Sequence, residues 1–239
     1  MSLLERSLPL IGEDGIEKLN KSSVIVFGVG GVGSWCAEAL VRCGIGKITV
    51  VDGDIVSETN RNRQLIALNS TIGKDKAEIC AKRLKDINEN CEVTAISLFY
   101  SSETKNEIDL TQYDYIADCI DTVTSKLLLI QTAKELNIPI ISSMGTGNRL
   151  DPSRITVKDI FKTSGDPLAR IMRKELRAKG VESLTVVFSD EEPKKCVEGR
   201  NEETGRATPS SAVFVPATAG LRLAYEIIAS LSTESRFCP

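Results

Sequence analysis

Residues 22–34 read "SSVIVFGVGGVGS", an apolar run that ends in a glycine turn, and a stretch of helical periodicity follows at once. This junction constrains the fold more than any other part of the chain. "VIVF" at 24–27 suits a buried strand, and Val32, Trp35, Ala39, Leu40 and Cys43 recur at helical spacing after it. A strand entering a helix through a tight glycine turn is the opening of a βαβ unit. The rhythm then repeats. Gly44 and Gly46 stop the first helix, and "KITVVD" (47–52) supplies a second strand. Ala77, Cys80, Ala81, Leu84 and Ile87 mark a helix within 74–88. "CEVTAISLF" (91–99), "YIADCID" (115–121) and "IPIISSM" (138–144) read as three more strands, with a helix striped by Leu127, Leu128, Ile130, Ala133 and Leu136 between the last two. Strands separated by helices imply right-handed parallel crossovers, hence an α/β, Rossmann-like, doubly wound and mostly parallel sheet.

From about residue 148 the rhythm changes. "RITVKDI" (154–160) and "SLTVVFS" (183–189) suit strands, with the basic helix "DPLARIMRKELRAKG" (166–180) between them. The charged, turn-rich "DEEPKKCVEGRNEETGRATPS" reads as a long mobile loop over about 190–209. The apolar stretch that follows contains Arg222 and Glu226, which argues for a buried helix rather than a membrane span. The expected organisation is one domain, 1–239, with a nucleotide-binding core (1–147) and a decorated C-terminal third (148–239) facing substrate.

The chain contains no histidine, which excludes Ser–His and Cys–His nucleophilic mechanisms. Its seven cysteines include no C-x-x-C pair, and several lie in apolar stretches, which suits a reducing, cytoplasmic setting. The N-terminal stretch has no signal-peptide pattern. A net charge of −3 gives no global attraction to nucleic acid.

Gly28, Gly30 and Gly33 satisfy G-x-G-x-x-G, and Asp52 ends the next strand, where a carboxylate can take ribose hydroxyls. On these residues alone a nicotinamide dinucleotide is favoured. The next segment, "VVDGDIVSETNRNRQ", changes the balance by adding Asp54, Asn60, Arg61, Arg63 and Gln64. Lys74 and Lys76 open the following helix, and Asp118 and Asp121 close the fourth strand. Carboxyl ends of parallel strands share one edge of the sheet, so Asp52, Asp121 and the glycine turn should converge there. Cations beside a glycine cradle suit a triphosphate, and a carboxylate opposite them suits Mg²⁺.

The motifs "GVGGVGSWCAEALVRCGIGKITVVDGDIV", "TNRNRQ", "GKDKAE" and "DCIDTVTSK" together resemble the ThiF/MoeB superfamily of adenylating enzymes related to ubiquitin activation. The resemblance implies ATP, with Gly30 and Gly31 lining its pocket and Asp52 on the ribose. It places Asn60, Arg63 and Lys76 on the phosphates and Mg²⁺ on Asp121; Asp54 and Gln64 join the nucleotide set. Arg6 would reach into a neighbouring subunit's site, implying a homodimer. The sequence leaves a monovalent cation site open. The chemistry implied is attack by a carboxylate on the α-phosphate of ATP, which needs positioning and charge neutralisation rather than a histidine.

Within the superfamily, "LIGEDGIEKLNKSSVIVFGVGGVGSW", "SSMGTGNRLDPSRITVKDIFKTSGDPLARIMRKELR" and "TVVFSDEEP" resemble the branch of tRNA threonylcarbamoyladenosine dehydratases. That branch implies activation of the threonine carboxylate of threonylcarbamoyladenosine in tRNA, followed by ring closure with loss of water. Residues 149–180 carry nine basic and four acidic side chains, and Arg170, Arg173, Lys174 and Arg177 fall on one helix face, which suits tRNA phosphates. Three alternatives stay open: an adenylyltransferase acting on a ubiquitin-like sulfur carrier, a partner-binding scaffold in a sulfur relay, and an NAD-binding dehydrogenase or regulator. A sulfur-relay protein could also be a partner of the enzyme. Cys196 and Cys238 read as incidental thiols, and Trp35 as a core residue.

Overall fold

The structure is a computed structural model that describes residues 3–195, 199–200 and 207–232. Cys196, Cys238 and residues 196–198 and 201–206 of the expected 190–209 loop lie outside the described residues.

Two short helices, α1 (Leu8–Ile11) and α2 (Glu13–Lys21), precede β1 (Ser23–Phe27). The alternation expected from the sequence follows: α3 (Gly33–Arg42), β2 (Lys47–Val51), α4 (Lys76–Ile87), β3 (Glu92–Ile96), β4 (Tyr115–Asp118), α5 (Val123–Glu135) and β5 (Ile140–Ser143). The last third contains β6 (Ile155–Asp159), α6 (Pro167–Ala178), β7 (Thr185–Ser189), the short pair β8 (Gly199–Arg200) and β9 (Ala207–Thr208), and α7 (Phe214–Ser232).

Seven strands form one sheet in the order β3-β2-β1-β4-β5-β7-β6, parallel except for β6, which runs antiparallel to β7. β1 shows why both faces must be covered. Val24 and Val26 pack on one side with α3, α4 and α7, and Ile25 and Phe27 on the other with α5 and α6. Such two-sided burial explains why these strands read as continuous apolar runs rather than alternating ones.

The expectation of a buried C-terminal helix holds for one face of α7. Val215, Ala219, Leu223 and Ile227 are fully buried, while Phe214, Leu221 and Tyr225 are exposed. α7 is long and apolar enough to cross a membrane by composition. Its inner face, however, packs tightly on α3. A Cβ at Gly220 would stand 2.3 Å from the Val32 carbonyl oxygen, so no larger residue permits this approach.

Strand order reverses between β1 and β4, which β1 holds on opposite sides from β2. A crevice therefore opens beyond the carboxyl ends of β1 and β4, the place where open α/β sheets bind ligands.

Candidate functional site

A cleft of about 260 Å³ occupies that crevice. Gly28, Gly30, Gly31, Asp52, Asp54, Arg63, Gln64, Lys76 and Asp121 line it, so the structure brings together nine residues singled out in the sequence.

The glycine turn is held by close contacts. Gly28 has φ +83°, and a Cβ there would lie 2.8 Å from the Cys119 carbonyl oxygen. At Gly33 a Cβ would lie 1.8 Å from the Gly28 carbonyl oxygen, so the turn closes on itself. Gly33 is thus a packing residue behind the cleft rather than part of its lining. Gly30 and Gly31 face the cleft with more room. A Cβ at Gly31 would meet Pro216 and Arg63 at ordinary contact distance and fill space now open.

Asp52 fastens this turn to the end of β2. Its Oδ2 accepts from Val29 N at 2.8 Å and its Oδ1 from Asp54 N at 2.9 Å. Burial raises its pKa, opposed by the Asp54 N–H, by Lys76 and by the Val29 N–H. Lys76 opens α4 and is 6% exposed, and its Nζ lies 2.8 Å from Asp54 Oδ2. Asp75 caps α4 by accepting from Glu78 N, which fixes where Lys76 enters.

The "TNRNRQ" segment is a tight turn organised by Asn60. This side chain is buried and its Oδ1 accepts from Ser57 N, while its carbonyl oxygen accepts from Arg63 N and Gln64 N. Asn60 therefore stands behind the wall and presents its neighbours to the cleft. Arg63 donates through Nη1 to Thr59 O and Asn62 Oδ1. Burial lowers its pKa, and the charge of Asp121 across the cleft opposes that shift. Gln64 is buried, and its Oε1 has no hydrogen-bond partner among the described residues. Asp121 is exposed at the mouth and accepts from Thr122 Oγ1.

Three expectations need adjustment, those for Asp118, Lys74 and the cationic surface. Asp118, expected beside Asp121, is fully buried instead. Its Oδ2 accepts from Lys126 Nζ (2.8 Å) and Ser142 Oγ (2.6 Å), and Lys126 Nζ also donates to Ser142 Oγ at 3.0 Å. β4 is buried on both faces through Asp118, and Lys126 and Ser142 hold this carboxylate inside, so it does not line the cleft. Lys74 is exposed and Arg6 precedes α1 at the surface, both outside the lining of the chain's own cleft. The cationic surface is narrower than the sequence alone suggests. Arg149 is 3% exposed, Arg154 pairs with Asp190, and Arg173 donates to Thr163 Oγ1. Arg170, Lys174 and Arg177 remain exposed on α6, with Arg177 over the Phe161 ring.

The cleft also uses residues that the sequence reading passed over: Phe99 after β3, Cys119, Thr146 after β5, and Ser211 and Pro216 near α7. Phe99 and Thr146 follow the strand-end rule and were within reach of it. Ser211 and Pro216 arrive through packing of α7, which leaves no local signal. Trp35 is half-buried, and its Nε1 donates to the Arg63 carbonyl oxygen at 3.2 Å, next to the cleft.

The fold and the cleft together define a nucleotide-binding α/β protein with a glycine cradle and converging cations. The chain matches the ThiF family over residues 4–236, and it belongs to that family. It is 43% identical over 231 residues to the tRNA threonylcarbamoyladenosine dehydratase of Bacillus subtilis, covering 92% of this chain and 91% of that protein. It is 40% identical over 190 residues to the Escherichia coli protein of the same name, covering 76% of this chain and 71% of the relative. The solved structure of the E. coli dehydratase TcdA in complex with ATP superposes with a TM-score of 0.85 at 35% identity, over 95% of this chain and 92% of that one.

Proposed function

We propose that this chain is an ATP-dependent tRNA threonylcarbamoyladenosine dehydratase that activates the threonine carboxylate of the modified nucleoside and closes it into a ring. The observation that carries the reading is the cleft at the β1–β4 switch point in a chain so similar along its length to dehydratases.

The residues present fit ATP. Gly30 and Gly31 leave a cradle that side chains would fill, the glycine turn opens onto the N-terminus of α3, and Arg63 and Lys76 supply fixed cations. Asp52, at the end of β2 beside the glycine turn, would take the ribose hydroxyls, and Asn60 would support the phosphate side by holding the Arg63–Gln64 turn. Asp121, an exposed carboxylate opposite Arg63, suits Mg²⁺, which commonly takes one or two carboxylates plus phosphate oxygens and water. Bound Mg²⁺ would neutralise charge on the phosphates.

At neutral pH the threonine carboxylate is already ionised, so no base is needed before it attacks the α-phosphate. Its oxygen bonds to phosphorus as pyrophosphate leaves. A neighbouring group of the same side chain then attacks the acyl carbon, releasing AMP and a proton. Arg63 and Lys76 offset the charge that develops on the phosphate oxygens, and the rigid glycine turn fixes the line of attack.

The exposed Arg170, Lys174 and Arg177 would hold tRNA phosphates, with Arg173 contributing where its bond to Thr163 permits. Arg6 would complete the site of a second subunit, making the working form a homodimer. The free thiols of Cys36, Cys43, Cys80, Cys91 and Cys119 suit a cytoplasmic protein. The test is incubation with Mg²⁺ and tRNA carrying threonylcarbamoyladenosine, with and without ATP, followed by nucleoside mass spectrometry. A nucleoside lighter by one water and dependent on ATP is expected; an unchanged nucleoside would overturn the reading.

A further inference from the structure

The reaction proposed above needs a second ligand in the cleft, and one wall is built for something other than phosphate. Thr146 and Ser211 line the cleft, and their hydroxyls have no hydrogen-bond partner among the described residues. Ser211 stands at the Arg63 end, where the phosphates are proposed to bind. The Ser211 carbonyl oxygen accepts from Asn62 Nδ2 at 2.8 Å, one residue from Arg63, whose Cγ would be 3.5 Å from a Cβ on Gly31. Phe99 packs instead on Gly53, next to Asp52 at the ribose end.

The turn that presents Thr146 is clamped from behind by Arg149. Its Nη1 donates to the carbonyl oxygens of Gly145 (2.8 Å) and Gly147 (3.4 Å), the two neighbours of Thr146. Its Nε donates to the Glu191 carbonyl oxygen at 2.9 Å, and Nη2 lies 3.2 Å from Asp166 Oδ2 as an ion contact without hydrogen-bond alignment. Both partners are almost wholly buried, so Arg149 is not available to a ligand. Asp166 is also the cap of α6, accepting from Ala169 N at 2.7 Å. Asn148 ties Ser210 in from the other side, through Asn148 N to Ser210 O and Ser210 N to Asn148 Oδ1, both at 2.7 Å. One buried guanidinium thus fixes both flanks of Thr146 and the start of the cationic helix.

We propose that the 145–149 turn and Ser211 form the acceptor wall of the cleft, where the Thr146 and Ser211 hydroxyls receive the carboxylate-bearing threonyl group, with Arg149 as its positioning residue. The proposal rests on the dehydratase reading. Hydroxyl donors are suited to the task because they orient an ionised carboxylate without pairing a full charge against it, so it keeps its nucleophilicity. The clamp gives the wall and α6 a common anchor, so tRNA phosphates bound on the helix would set the position of the nucleoside at Thr146.

The test compares the wild type with Thr146→Val, Thr146→Ser, Ser211→Ala and Arg149→Lys. ATP affinity is read from Trp35 fluorescence, kcat and KM from dehydration of modified tRNA, and local order from amide hydrogen exchange. Thr146→Val should lower kcat/KM by roughly tenfold to a hundredfold, the loss of a hydrogen bond to a charged group, with ATP affinity unchanged. Ser211→Ala should act in the same direction, and Thr146→Ser should restore most of the loss. Arg149→Lys should speed exchange in 145–151 and 166–170 together, while the glycine turn stays protected. A tenfold loss of ATP affinity in Thr146→Val, wild-type kcat/KM in that variant, or exchange rising across the whole sheet in Arg149→Lys would overturn the proposal. If the wild type yields no product from modified tRNA, the dehydratase reading fails by itself. Pyrophosphate release from ATP with N-carbamoylthreonine as a free carboxylate then judges the wall, and equal release by wild type and Thr146→Val would overturn it.

Discussion

Gly33 shows how a single residue can decide a site without touching its ligand. A methyl group there would stand 1.8 Å from the Gly28 carbonyl oxygen, a distance that no side-chain rotation relieves because the backbone fixes both positions. Gly33→Ala should cost about 1–3 kcal/mol or more of stability and should weaken ATP binding by opening the turn; urea unfolding and Trp35 titration report the two effects. Lys126 is a second such residue. Fully buried, it pairs with the equally buried Asp118, so Lys126→Met leaves that carboxylate without its cation in the interior. A loss of about 3–5 kcal/mol is expected in chemical denaturation, and an unchanged midpoint would show that the ion pair is not needed. At the cleft itself, Arg63→Ala and Asp121→Ala should lower turnover by about 10²–10³ with the fold intact by circular dichroism. The sequence was informative at this scale where the chemistry is local. The glycines and Asp52 end two neighbouring parallel strands of one βαβ unit, so the strand–helix–strand spacing brought them together. Asp118 and Asp121 could not be told apart that way, because which carboxylate points inward depends on where β4 ends.

At the scale of elements, Glu38 joins α3 to α4. Its Oε1 accepts from Arg42 Nη2 at 2.7 Å and its Oε2 from Arg83 Nε at 2.5 Å. Burial pushes the carboxyl up, but Arg83 and Arg42 together outweigh it and hold the pKa below its usual 4.5. A depressed carboxylate contributes stability above the unfolded value and loses it as pH falls through the folded one. Glu38→Gln should therefore be less stable than wild type near neutrality, by about 1 kcal/mol, and the two should converge once the pH falls below that range. Unfolding curves across the acid limb provide the check. For α6, replacing Arg170, Lys174 and Arg177 with Ala should weaken tRNA binding and flatten its salt dependence by roughly 0.7–0.9 in log–log slope for each phosphate no longer neutralised. An unaltered slope would remove the helix from the interface. Helices were legible from their periodicity, and the parallel strands from short apolar runs set between turn residues and helices. The reversed direction of β6, the α1–α2 pair and the closing of Ser211 and Pro216 over the cleft were not, since each is set by partners distant in the chain.

The whole molecule places its chemistry at one edge. Sheet order turns back between β1 and β4, and the cleft is lined mainly from strand ends and the turns that follow them, with Lys76 at the start of α4 and Pro216 in α7. The C-terminal third adds a wall, a clamp and a cationic helix to that edge. Such an assembly needs no histidine, because the proposed acceptor arrives ionised and the protein contributes position and charge. In the proposed reaction a carboxylate oxygen attacks the α-phosphate. The most direct measurement uses tRNA whose threonylcarbamoyladenosine carries oxygen-18 in the carboxylate, with products read by mass spectrometry after a single turnover. One labelled oxygen is expected in AMP, with pyrophosphate unlabelled. Label recovered in inorganic phosphate beside ADP, or retained in water with AMP unlabelled, would contradict it.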